Sequence, residues 1–127
     1  MPSQKRKFGD VGERIAEKHL KAMGYAILEK NYLKPWGEID IVAKKQGILI
    51  FFDVKTRDSK NVEHFLPELS VNRLKIKKLQ KICETYLFER HYPYDQEWQI
   101  DVLAISVNKE KQKANVKHFE NAIFERV

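Results

Sequence analysis

The segment Gly37 to Arg57, GEIDIVAKKQGILIFFDVKTR, constrains the fold more than any other part of the chain. Two apolar runs flank a turn, with Ile39, Ile41 and Val42 in the first and Ile48 to Phe52 in the second. β-Branched and aromatic side chains suit a pleated, half-buried surface, and Gln46-Gly47 supplies the turn, so the segment predicts a β-hairpin. Three ionisable residues, Asp40, Asp53 and Lys55, interrupt these strands where a purely structural sheet would prefer apolar ones, and Glu38 lies just ahead of Asp40. Side chains alternate across a strand, so Glu38 and Asp40 share one face of theirs, as do Asp53 and Lys55 of theirs. Asp53 ends an apolar run, where a charge is costly unless a cation or hydrogen bonds compensate it. If Asp40 lies near Asp53, two carboxylates and an ammonium meet at one spot. Such a group can hold a divalent metal and activate water beside a phosphodiester.

Around this hairpin the remaining elements follow in order. Gly9 to Met23 predicts a helix, with Val11, Ile15, Ala16, Leu20 and Met23 as its apolar stripe. Asp10 and Glu13 have capping-box spacing, Gly24 suits the end of the helix, and Lys5-Arg6-Lys7 read as a flexible basic arm within residues 1–8. Tyr25 to Leu33 reads as a strand, and Lys34-Pro35-Trp36-Gly37 as the turn into the hairpin. Asp58 to Leu69 shows no periodicity. Ser70, a possible cap, opens a second helix to about Phe88, with Val71, Leu74, Leu79, Ile82, Cys83, Tyr86 and Leu87 inward. Arg73, Lys75, Lys77, Lys78 and Lys81 occupy its other surface. Trp98 to Val107 is a continuous apolar strand suited to the sheet interior, Lys109 to Lys113 a polar turn, and Asn115 to Glu120 an edge strand. The second helix has the length of a crossover, which brings the strand after it in parallel. The expectation is one α/β domain over residues 1–127, with a mixed sheet and the order αβββαββ.

Composition narrows the function classes. A single cysteine, Cys83, excludes an intrachain disulfide and a thiolate metal cluster, and its apolar neighbours make it a small core residue. His19, His64, His91 and His118 show no metal-ligand spacing and read as non-catalytic. The N-terminus lacks the apolar segment of a secretory signal and no run suits a membrane span, so a cytoplasmic protein without a membrane partner is expected. Lys plus Arg exceed Asp plus Glu by 24 to 18, a net charge of +6 that leans toward a polyanionic partner, most simply nucleic acid.

The spacing of Asp40 from Asp53-Val54-Lys55 resembles the PD-(D/E)xK nuclease superfamily. The run GEIDIVAKK…LIFFDVKTR is similar to the YraN-type endonucleases of bacteria, related in fold to archaeal Holliday-junction resolvases. The resemblance covers nearly the whole chain: Gly12-Glu13, Gly24-Tyr25 with Asn31, Lys75 and Asp101-Val102 also match that family's pattern. It implies a restriction-endonuclease-like domain and a magnesium- or manganese-dependent endonuclease acting on DNA, with branched or structured DNA as one candidate substrate. Asp40, Asp53, the Val54 carbonyl and Glu13 would make the metal site, and Lys55 would be the catalytic lysine. Glu38 would either join the acids or orient the turn. Arg57, Arg73, Lys75, Lys77 and Lys81 are the candidate DNA contacts, and a homodimer is left open. Three departures stand out. Asp53 is shorter by a methylene than the more usual Glu, Gln99 replaces an expected Arg, and the loop after Arg57 lacks a glycine near Phe65. With Gln99 in that place, Asp101 reads as structural. Trp36 reads as a loop-packing residue rather than a platform for an unpaired base. The rival readings are a catalytically silent nucleic-acid-binding module and a scaffold whose acids only brace the sheet.

Overall fold

Apolar side chains on both of its faces make the third strand the spine of the sheet. A computed structural model describes the backbone of residues 4–59 and 73–123, and the side chains from residue 9 onward within those ranges. The order is α1 (Gln4–Ala22), β1 (Ala26–Lys34), β2 (Gly37–Lys45), β3 (Ile48–Asp58), α2 (Arg73–Glu89), β4 (Trp98–Asn108) and β5 (Lys113–Phe119). The five strands lie in sequence order, all neighbours antiparallel except the parallel pair β3–β4, which α2 connects. This mixed α/β sheet with order αβββαββ is compatible with a restriction-endonuclease-like fold.

Strand alternation sends Leu49 and Phe51 to one face and Ile50 and Phe52 to the other. On the first face they meet Ile82, Cys83 and Tyr86 of α2. On the second they meet Ala16 and Leu20 of α1. Both faces are therefore covered, and burial of Phe51 and Phe52 explains the unbroken apolar run that a one-sided sheet would not need. The hairpin turn is Gln46-Gly47, with φ of 52° and 79°. Two successive left-handed residues match the twist of the flanking strands, and Lys45 pairs with Ile48 across them. At the end of α1, Gly24 takes φ of 92°, Tyr25 N donates to Leu20 O and Gly24 N to Lys21 O, which together close the helix in a Schellman motif.

Several local expectations are corrected. α1 begins at Gln4, so Lys5-Arg6-Lys7 lie in its first turns rather than in an arm, and Asp10 and Glu13 lie inside the helix rather than at its cap. Nothing from Gln4 to Gly9 stops a helix, since a glycine costs only ~1 kcal/mol inside one. Met23 follows the last helical residue and is 53% exposed, outside the apolar stripe. Leu74 is 63% exposed. At 3.6 residues per turn it falls on roughly the opposite side of α2 from the stripe of Ile82, Cys83 and Tyr86, while Gln80 is buried. The Ser70 cap, Val71, His64 and most of the 58–69 loop lie outside the described residues. Among the described residues no helix is long and apolar enough to cross a membrane.

Candidate active site

The site forms where two paired strands part. β2 and β3 pair from Lys45–Ile48 to Ile41–Phe52. Beyond Phe52, β3 keeps its register with β4 as far as Asp58–Val107. The gap left on the β2 side is bridged by a side chain: Val54 N donates to Asp40 Oδ2 at 2.7 Å. Asp40 is thus half-buried between two strands and held by a backbone amide.

Helix α1 brings a second acid to the same opening. Gly12 is buried against β3, where a Cβ would overlap Thr56 Oγ1 and lie 2.9 Å from Thr56 Cβ. Only glycine allows this approach, and the next residue, Glu13, is thereby set beside the sheet. Carboxylate oxygens of Glu13, Glu38 and Asp40 all lie within 4.8 Å of one another. Asn31, between the Lys30–Ile41 and Tyr32–Ile39 pairs of β1 and β2, takes φ of 54°, a left-handed conformation that asparagine tolerates. With its amide nitrogen turned to the acids it donates to Glu13 Oε1 at 2.9 Å and Glu38 Oε1 at 3.1 Å, joining α1 to β2.

On β3, Lys55 Nζ lies 3.5 Å from Asp53 Oδ2, on the shared face that alternation predicts. Asp53 is close enough for its charge to act on Asp40, although it is not one of the three clustered acids. From α2, Lys75 joins Lys55 and Asp53. The Lys55 ammonium, then burial, hold Lys75 below the ordinary lysine range.

The electrostatics are those of a site short of positive charge. Burial, and then the carboxylates of Asp53, Glu38 and Glu13, push the Asp40 pKa up to about 7, against the opposing pull of the Val54 amide. Burial also raises the pKa of Glu13, with Glu38 and Asp10 adding to it and Asn31 opposing. Three carboxylates in one cluster could hold a metal ion, which would neutralise like charges that otherwise repel.

Of the residues expected from sequence, Glu13, Asp40, Asp53, Lys55 and Lys75 converge. Glu38 joins the acids instead of serving the turn. Val54 contributes its amide to Asp40. Arg57 extends along β3 beyond the opening, while Arg73, Lys77 and Lys81 lie exposed on α2. Trp36 is 41% exposed and lines a cavity beside Glu38 and Asp53. Sequence reasoning marks Asn31 only as part of the resemblance and misses its linking amide, for which the local signal is an asparagine inside a strand, where that residue is disfavoured.

A second buried acid, Asp101, lies in β4. It is fully buried and accepts hydrogen bonds from Gln99 Nε2 (2.8 Å) and Asn121 N (2.8 Å), with His118 Nε2 at 2.7 Å from its other oxygen. Gln99, standing where an arginine is expected, therefore acts as a donor to this carboxylate.

The chain resembles known bacterial proteins along most of its length. The model of a family described as uncharacterised protein family UPF0102 matches residues 12–105. A UPF0102 protein of Thermodesulfovibrio yellowstonii is 40% identical over 118 residues, covering 91% of this chain and 95% of that protein. One from Campylobacter fetus is 41% identical over 109 residues, with 86% and 92% covered. One from Roseiflexus castenholzii is 32% identical over 125 residues, with 98% and 99% covered.

Proposed function

This chain belongs to the uncharacterised UPF0102 family, and we propose that it is a metal-dependent endonuclease that hydrolyses phosphodiester bonds in DNA. The observation that carries the reading is the meeting of Glu13, Glu38 and Asp40 within 4.8 Å, beside the Asp53–Lys55 pair, where β2 and β3 part. The Val54 amide, Asn31 and Lys55 each reach these acids, yet the carboxylates still lie against one another, an arrangement that a brace for the sheet does not need.

Glu13, Glu38, Asp40 and Asp53 would hold magnesium or manganese, and that ion, when bound, supplies charge stabilisation of the phosphate and a water of lowered pKa. The protein's own groups do the rest. Val54 N–H fixes one Asp40 oxygen, leaving the other for the ion. Asn31 holds Glu13 to Glu38, so the cluster is preorganised. Lys55, 3.5 Å from Asp53, is positioned to orient a water or to neutralise the charge that develops on the phosphorane oxygens. In the reaction, a water oxygen bonds to phosphorus as the water gives up a proton to solvent, the bond from phosphorus to one sugar oxygen breaks, and that oxygen takes up a proton from solvent to leave as a hydroxyl. Arg57, Arg73, Lys75, Lys77 and Lys81 would hold flanking phosphates.

The test is cleavage of linear, single-stranded, flapped and four-way DNA with manganese or magnesium. Asp40→Asn, Asp53→Asn and Lys55→Ala should each abolish cleavage while circular dichroism shows the fold retained. Equal cleavage by wild type and Asp53→Asn would refute the assignment.

A further inference from the structure

Beside the acid cluster lies a cavity of about 220 Å³ that the hydrolytic reading leaves unused. Its walls are largely apolar, formed by Trp36, Ile76, Leu79, Val102 and Ile123. One end is shared with the candidate active site, because Glu38 and Asp53 line both. Lys75 and Lys78 of α2 add positive charge to the lining, Lys75 beside Asp53, and the Lys81 ammonium lies over the Trp36 ring, 5.3 Å from its centroid.

We propose that this cavity receives one unpaired nucleobase of the DNA strand, stacked on Trp36 and adjacent to the bond to be cut. An apolar slot with an indole wall suits a flat, neutral ring, and stacking tolerates every base because each has a π face. The lysines answer the anionic phosphates on either side of that base, so the slot is complementary to a nucleotide in charge as well as in polarity. An apolar peptide would make no use of the three lysines. A base inside a duplex has both faces covered by its stacked neighbours and cannot stack on Trp36, so the substrate class is DNA with an unpaired nucleotide at the cut. The position of the cut rests on the endonuclease reading. The binding of a base does not.

The experiment measures binding in chelator, where hydrolysis cannot contribute. The probe is a labelled oligothymidylate, compared with an abasic strand of equal length and with a duplex. Trp36→Ala should weaken oligothymidylate binding by about tenfold, Trp36→Phe should retain most of it, and neither should alter duplex binding. In a Trp98→Phe protein, where Trp36 is the remaining tryptophan, oligothymidylate should quench fluorescence and the abasic strand should not. If that protein does not fold, anisotropy with Trp98 intact carries the comparison. Equal binding of abasic and base-bearing strands, or equal affinity of wild type and Trp36→Ala, would overturn the base slot. Trp36-dependent binding without cleavage of any DNA would keep the slot and remove the endonuclease. Cleavage that ignores Trp36 would do the reverse.

Discussion

Asp40 and Asp101 are the same residue type in the same sheet, yet the fold provides for them in opposite ways. Asp101 is fully buried, and each of its oxygens faces donors from Gln99, Asn121 and His118. Asp40 is half-buried, accepts the Val54 amide, and is otherwise crowded by Glu13, Glu38 and Asp53. Burial without partners costs free energy, so the first arrangement is sufficient for stability by itself. The second leaves carboxylates facing one another among the described residues. Strain concentrated at one acid and absent from the other is what separates a site from a brace.

The largest effect should come from breaking the satisfied acid. Asp101→Ala leaves three inward-facing donors without their acceptor and should cost ~3–5 kcal/mol, read as a lowered urea midpoint. The loss would fall on the attachment of residue 121 to β4 as much as on the strand itself. A cost below about 1 kcal/mol would mean that water or another group replaces the carboxylate, and the contrast with Asp40 would collapse.

Next comes the approach of α1. Gly12→Ala drives a methyl group into Thr56, whose Cβ would stand 2.9 Å away, and should cost ~1–3 kcal/mol. Because Glu13 is carried by the same turn, manganese affinity should fall with it. Reduced stability with metal affinity unchanged would show that Glu13 is not a ligand.

Much of the contrast is legible in the chain, and some is not. The hairpin is legible because Gln46-Gly47 and the apolar runs on either side leave few other conformations. The parallel β3–β4 pair follows from the length of the intervening helix. The partners of Asp101 are not legible. His118 and Asn121 lie far along the chain, and only the antiparallel β4–β5 register brings His118 opposite Leu103, next to the acid. Glu38 is ambiguous in the sequence for a similar reason. Its role depends on where β2 and β3 stop pairing, and no residue in either strand announces Ile41–Phe52 as the last pair. Leu74 is misplaced by pattern alone because one apolar residue at the end of a helix fits several stripes, and only the packed face decides among them.

A smaller effect distinguishes the two acids by pH. Asp40 has a folded pKa raised from 3.8 to about 7, so the folded protein binds its proton more tightly than the unfolded chain. Stability assisted by the protonated acid is present at low pH and declines as the pH rises through the interval from ~4 to ~7. In chelator, the melting temperature of wild type relative to Asp40→Asn should therefore fall as the pH is raised across that interval. A difference that stays constant would mean that Asp40 titrates as it does in the unfolded chain.

The smallest effect concerns surface charge. Replacing Lys77 and Lys81 together by glutamine should make the dependence of log affinity for DNA on log salt shallower, by ~0.9 for each phosphate that these lysines neutralise. Lys117→Gln, on the edge strand β5, should leave the slope unchanged. Equal changes from both sides would move the DNA surface away from the acid cluster.

The most direct test of the central claim is thermal melting of wild type and Asp40→Asn, each in chelator and in manganese. If the acids form a metal site, manganese at a hundredfold excess over its dissociation constant should stabilise wild type by ~2.7 kcal/mol. In chelator, Asp40→Asn should melt no lower than wild type, because it relieves like-charge repulsion, and it should forfeit most of the gain from manganese. A mutant that melts well below wild type in chelator, with no manganese shift in either protein, would contradict the account and leave Asp40 a brace like Asp101.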